Sequence, residues 1–221
     1  MKHWRIFIWT GLTILTLGLI ACGGAAEEQP ETAVSNPPPT TNDGQIELTY
    51  TTPAQQEGPY YTVEKPADRD NDLTVLEGAT GAPAGEIVEF GGTVYDRNGR
   101  PIPNATIEIW QTDAEGIYLH PNDPGTNQRD INFQFYGEAV TDENGRYRFR
   151  TILPGEYEPR PRHIHFKVKL DGGELITSQF YFAGENSGQP APLTIILTPG
   201  EDAAGNNVQT GQRDIILDLE L

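Results

Sequence analysis

Seven short β-rich runs follow one another through most of this 221-residue chain, and each is bounded by turn-forming residues. IVEFGGTVYD, ATIEIWQT, RYRFRTIL, HIHFKVKL, LITSQFYF, PLTIILT and RDIILDLEL all read as strands. Asn98-Gly99 and Asn144-Gly145 are hairpin-type turn signals. No long segment carries a helical apolar stripe. The pattern predicts an all-β fold, a β-sandwich of mostly antiparallel strands with long loops over its site. Residues 46–221 are enough to enclose a sizeable core.

What precedes residue 46 has a different texture. Lys2 and Arg5 lead into an apolar run, residues 6–21, that is short for a membrane span of about 20 residues and suits an export signal. The run ends in Leu19-Ile20-Ala21-Cys22-Gly23-Gly24, which looks like a bacterial lipobox. Cys22 is the only cysteine, so it has no disulfide partner within the chain. The reading is a lipoprotein signal over residues 1–21 with lipid on Cys22; a signal anchor, or a soluble secreted protein with a stray thiol, is the alternative. Residues 22–45 are rich in Ala, Glu, Pro, Thr and Asn and read as a disordered tether, spanning roughly 25–30 Å. The domain is therefore expected outside the cytoplasm, anchored close to a membrane surface.

Charge excludes one class of partner. With 15 Lys+Arg against 32 Asp+Glu, the net charge of −17 leaves nothing to neutralise the phosphates of a nucleic acid.

Within the sandwich, GTVYDRNG and AVTDENG both read as strand–Asp–turn–Gly units. Such turns suit a non-catalytic module of the carboxypeptidase-regulatory kind as well as they suit an enzyme. RPRHIHFKVKL points elsewhere. A strand places His163, His165 and Lys167 on one face and Ile164, Phe166 and Val168 on the other. Two imidazoles roughly 7 Å apart at Cα can share one metal ion. A satisfied structural pair, or a zinc site completed by His120, would show the same spacing. Pro154, Pro159 and Pro161 stiffen the loop that leads into this strand and carries Tyr157 and Arg160. Among 9 tyrosines, residue pattern alone does not choose a partner for the histidines.

A resemblance does choose. EIWQTDAEGIYLH, TILPGEYEPRPRHIHFKV and LITSQFYFAGE look like the successive signatures of intradiol ring-cleavage dioxygenases, and TPAQQEGPY (residues 52–60) resembles an N-terminal motif of their protocatechuate-type branch. The resemblance implies a non-haem Fe(III) held by Tyr118, Tyr157, His163 and His165. Arg160 and Gln179 would stand beside it, and Tyr157 and His165 would form the axial pair. It implies intradiol cleavage of a small aromatic diol with O2 to a cis,cis-muconate-type diacid. An oligomer is compatible with it. Two features depart from the family: the helical N-terminal region of the catechol branch is missing, and the motif and all four ligands sit in one chain.

The lipobox generates a direct expectation. Cys22→Ser should move the protein from the membrane to the soluble fraction; a variant that stays anchored would mean an uncleaved signal anchor.

Overall fold

The computed structural model describes residues 41–42, 45–46, 48–157, 159–185 and 188–220. The stretch read as a signal, Cys22 and most of the stretch read as a tether lie outside the described residues. The first described residues form a two-residue antiparallel ladder, β1 (Thr41–Asn42) on β2 (Gln45–Ile46), at the end of the stretch read as tether.

The remaining strands form two five-stranded sheets. In the first, β3 (Ile87–Tyr95) is central. It pairs antiparallel with β6 (Arg146–Ile152) and parallel with both β11 (Asn207–Gln212) and β12 (Ile215–Ile216); β10 (Thr198–Glu201) closes the edge on β11. The second sheet runs β5 (Tyr136–Val140), β4 (Thr106–Trp110), β7 (His163–Leu170), β8 (Gly173–Phe182), β9 (Thr194–Ile195). The inward faces meet in an apolar core. Phe166 stacks on Phe180 at 4.2 Å between ring centres, and Phe90 meets Phe180 edge-on at 5.7 Å.

Five of the seven expected strands form. PLTIILT does not form one strand: a 3-10 turn (Ala191–Leu193) gives way to β9 and then, two residues later, to β10 in the other sheet. RDIILDLEL contributes only β12. Conversely β5 and β11 are strands whose glycines (Gly137, Gly211) and polar residues hide the strand pattern. Gly137 has a packing reason: a Cβ there would lie 2.5 Å from Leu73 Cδ1.

The alternation expected in β7 holds. Ile164, Phe166 and Val168 enter the sandwich core, while His163, His165 and Lys167 are buried on the opposite face. That second face is covered by an N-terminal strap (residues 50–65). It is pinned along β8 and β12 by Thr52 N to Ile216 O at 2.8 Å, Gln55 N to Thr177 O at 2.9 Å and Ser178 Oγ to Pro53 O at 2.6 Å. Lys65, Lys169 and the Tyr61 hydroxyl all bond Glu108, a nearly buried carboxylate on β4. Burial alone would raise the Glu108 pKa, but these donors bring it below the ordinary carboxylate value.

One turn device recurs four times, as Asp-x-x-Gly-x. At Asp96, Asp113, Asp142 and Asp202 the carboxylate accepts the backbone N–H groups two and four residues on. The glycine at the fourth position takes φ of 75°, 83°, 72° and 80° respectively, open to glycine at little cost. Asp142→Ala should lower stability by about 1 kcal/mol, since its two N–H groups can turn to water. The midpoint of urea unfolding measures this, and Asp142→Asn, which keeps an acceptor, should recover most of it.

Candidate metal centre

Two loops bring the functional side chains to the strap-covered face. β4 ends at Trp110, and three residues on Asp113 makes one of the four turns and delivers Tyr118. Asp113 Oδ2 also accepts Asp130 N at 2.9 Å, and Asp123 Oδ2 accepts Tyr118 N at 2.9 Å, so the tyrosine backbone is fixed from two sides. The second loop runs from Pro154 through Tyr157 to His163, and closes a tight turn with Arg160 N on Tyr157 O at 2.7 Å.

These loops are packed backbone against backbone. Gly155 N donates to Asp113 O at 2.7 Å, and Thr112 Oγ1 donates to Gly155 O at 3.1 Å. A Cβ on Gly116 would lie 2.1 Å from Glu156 O; one on Gly155 would lie 2.3 Å from Gly116 N. The two tyrosine loops can approach this closely only because both positions lack side chains.

Three donor atoms converge where the loops meet β7. Tyr118 Oη lies 3.3 Å from His163 Nε2 and 3.1 Å from His165 Nε2, and the two Nε2 atoms are 3.1 Å apart. All three side chains are buried. Burial pushes Tyr118 well above the ordinary phenol range, with Tyr157 adding to the rise and Arg160 opposing it. Burial also pushes His163 down to about 4 and His165 well below the usual imidazole value. All three groups are therefore neutral at pH 7 when no cation is present.

Hydrogen accounting then leaves a conflict. His163 Nδ1 sits 2.6 Å from Pro161 O, and a carbonyl only accepts, so Nδ1 carries the proton and Nε2 offers a lone pair. His165 Nδ1 is buried with no partner. If His165 is protonated at Nδ1, two Nε2 lone pairs face each other and Nδ1–H is orphaned. If it is protonated at Nε2, Nδ1 is an orphaned acceptor. A cation bound by both Nε2 atoms and a Tyr118 phenolate removes the facing lone pairs. Donor separations of 3.1–3.3 Å suit a shared ion at about 2.1 Å from each. The donor set fits a hard ferric ion, whose charge would deprotonate the phenol.

The other expected residues gather around this triangle. The Tyr157 ring stands edge-on to Tyr118 at 5.7 Å and is half-buried, with Tyr60 as a hydroxyl neighbour. Arg160 Nη2 donates to Gln179 Oε1 at 2.6 Å. His120 does not join the pair: its ring lies against Tyr60 at 5.5 Å, and its Nδ1 accepts Asn122 N. Among the described residues no group of three or more His, Cys, Asp or Glu side chains assembles to hold a metal. Trp110 is fully buried and stacks on His165 at 4.8 Å and 9°.

The residue pattern missed the strap. Gly58, at φ 77°, passes so close to the site that a Cβ would lie 3.3 Å from His165 Cε1. The Tyr60 ring lies 5.0 Å from Tyr118 and 5.6 Å from Tyr157. Both residues fall within TPAQQEGPY, but nothing local ties that segment to a site more than fifty residues on. Tyr181 was legible in principle: it alternates with Gln179 on β8 and so shares its face.

A sandwich with a Tyr–His–His cluster under its own N-terminal strap matches known proteins. The family profile described as "Dioxygenase" covers residues 56–195, and the chain belongs to the intradiol ring-cleavage dioxygenase family. It is 41% identical over 139 residues to the protocatechuate 3,4-dioxygenase beta chain of Burkholderia cepacia, covering 59% of each chain. It is 33% identical over 161 residues to a catechol 1,2-dioxygenase of Acinetobacter baylyi, covering 65% of this chain and 50% of that one. The chain thus spans between half and three fifths of the length of these relatives. Among solved structures, it resembles the dioxygenase domain of a dioxygenase–carbohydrate-binding protein fusion from Streptomyces sp. SirexAA-E. The TM-score there is 0.62 at 28% identity, covering 77% of this chain and all of that one.

The backbone contact between the tyrosine loops yields a prediction. Gly116→Ala should cost at least about 1–2 kcal/mol from its left-handed backbone alone. It should also separate Tyr118 from Tyr157 and so weaken the cluster's hold on an added metal ion. Metal uptake and thermal midpoint check this; uptake equal to the parent's in both Gly116→Ala and Gly155→Ala would contradict the clamp.

Proposed function

We propose that the chain is a non-haem ferric intradiol dioxygenase acting on a small catechol-type diol and O2. The observation that carries the reading is the buried meeting of Tyr118 Oη, His163 Nε2 and His165 Nε2 within 3.3 Å of one another. Tyr118, Tyr157, His163 and His165 would hold the metal. A bound ferric ion would supply positive charge there, which would favour the deprotonated forms of its tyrosine ligands and of the diol.

The chain's own residues divide the remaining work. Tyr118 is fixed at its backbone and buried, which suits a permanent ligand. Tyr157 is half-buried and has the Tyr60 hydroxyl beside it, which suits a ligand that yields its place to the diol and accepts a diol proton. Pro161 O holds His163 in the tautomer that points Nε2 inward. Trp110 fixes the plane of His165. The Arg160 guanidinium would stabilise negative charge on the ring carbon that O2 attacks. The bond between the two hydroxyl-bearing carbons then breaks, and both oxygen atoms enter a cis,cis-muconate-type diacid.

The lipobox supports a second part of the proposal, that lipid on Cys22 holds the enzyme outside the cytoplasm at a membrane surface, where its diol would be met. A non-catalytic sandwich module has no use for a neutral imidazole pair facing a buried phenol.

The test is product analysis with isotopically labelled O2 over a panel of catechols. A doubly labelled muconate-type diacid is expected; a semialdehyde would mean cleavage beside, not between, the hydroxyl-bearing carbons. Arg160→Ala should keep its iron and lose roughly two to three orders of magnitude in rate.

A further inference from the structure

Arg160 is held by more than its own loop. Nη2 donates to Gln179 Oε1 at 2.6 Å and to the Tyr181 hydroxyl at 3.1 Å. That hydroxyl lies 2.6 Å from Gln179 Oε1 and 2.9 Å from Gln55 Oε1. Behind these partners stands the strap. Gln179 Nε2 donates to Gln56 O at 2.7 Å, and Gln55 Nε2 donates to Gln189 Oε1 at 3.1 Å. Gln179 and Tyr181 are 1% and 0% exposed, so neither has water as a substitute partner.

Counting protons separates the roles. Gln179 turns its amide nitrogen to the Gln56 carbonyl, which leaves Oε1 facing Arg160 and Tyr181. The Tyr181 oxygen accepts from Arg160 and has one proton to give, with two acceptors in reach. Given to Gln55, that proton ties the hydroxyl to the strap. Without Gln55 it turns to Gln179 Oε1, whose two lone pairs can accept both it and the guanidinium, and the hydroxyl that Arg160 donates to loses its link to the strap. Gln55 is itself fixed, because its N–H is bonded to Thr177 O of β8. The Tyr181 ring lies 6.0 Å from that of His163, so this hydrogen-bonded group stands beside the ligand cluster.

We propose that Gln55 and Tyr181 are positioning residues for Arg160, through which the N-terminal strap fixes the guanidinium beside the ligand cluster. The proposal rests on the dioxygenase reading in one respect: the task of Arg160 is the charge stabilisation described above. It adds that this task depends on a hydrogen-bond relay from a segment more than a hundred residues earlier in the chain.

The test uses the iron-loaded enzyme with Tyr181→Phe, Gln55→Ala and Gln55→Glu, each alone and combined with Arg160→Ala. Tyr181→Phe and Gln55→Ala should keep their iron and melt close to the parent protein. Each should lower kcat about tenfold, the worth of one such hydrogen bond, with a much smaller change in KM. Gln55→Glu retains an acceptor oxygen and should recover most of the loss. With Arg160 already replaced by Ala, neither substitution should change kcat further. Crystal structures of Tyr181→Phe and Gln55→Ala should show a displaced guanidinium beside unmoved Tyr118, His163 and His165. An unmoved guanidinium, or an equal loss in the Arg160→Ala background, would overturn the proposal. If the parent enzyme turns over no catechol, the dioxygenase reading falls, and the guanidinium's position in the crystals still decides whether Gln55 and Tyr181 position it.

Discussion

Two imidazole nitrogens and a phenol oxygen meet here within 3.3 Å of one another, with almost no access to water. In a folded protein that arrangement needs an explanation, because buried polar atoms are ordinarily satisfied and those of this cluster cannot all be. The Pro161 carbonyl fixes the His163 proton on the far nitrogen, and His165 is left with an orphaned Nδ1 in either tautomer. A shared cation turns the facing lone pairs from a conflict into a ligand set.

The surrounding fold can be understood as the machinery that enforces this meeting. The pleat of β7 puts both histidines on the face away from the sandwich core. The Asp113 turn aims Tyr118 at them, using the same carboxylate-to-backbone device that shapes three purely structural turns. Gly116 and Gly155 let the second tyrosine loop lie against the first. The strap covers the cluster from above, and the Lys65–Glu108 ion pair holds its far end to β4. Tyr61 bonds Glu108 and packs edge-on against Trp110 at 4.9 Å, and Trp110 stacks on His165, so the strap's anchor reaches a ligand through two rings.

Much of this was legible in the residues. Strict alternation in HIHFKVKL predicts which face each side chain takes, because a strand leaves no other choice. The all-β class follows from run length and turn residues alone. Where local pattern failed, the determining contacts were distant. Gly137 in β5 is required by Leu73, and PLTIILT is divided because its two halves find partners in different sheets. Tyr118 and Tyr157 could not be picked from nine tyrosines by spacing, and came from resemblance alone. Tyr60 and Gln55 act on a site that only tertiary folding brings to them.

The cluster can serve this chemistry only as a ferric centre with tyrosinate ligands. The most direct test is a titration of ferric ion into metal-free protein, followed together by metal analysis and visible absorption. One iron per chain and a red-brown tyrosinate-to-iron charge-transfer band are predicted, saturating at the same point. A protein that stays colourless after ferric reconstitution, or that retains zinc instead of taking up iron, would contradict it.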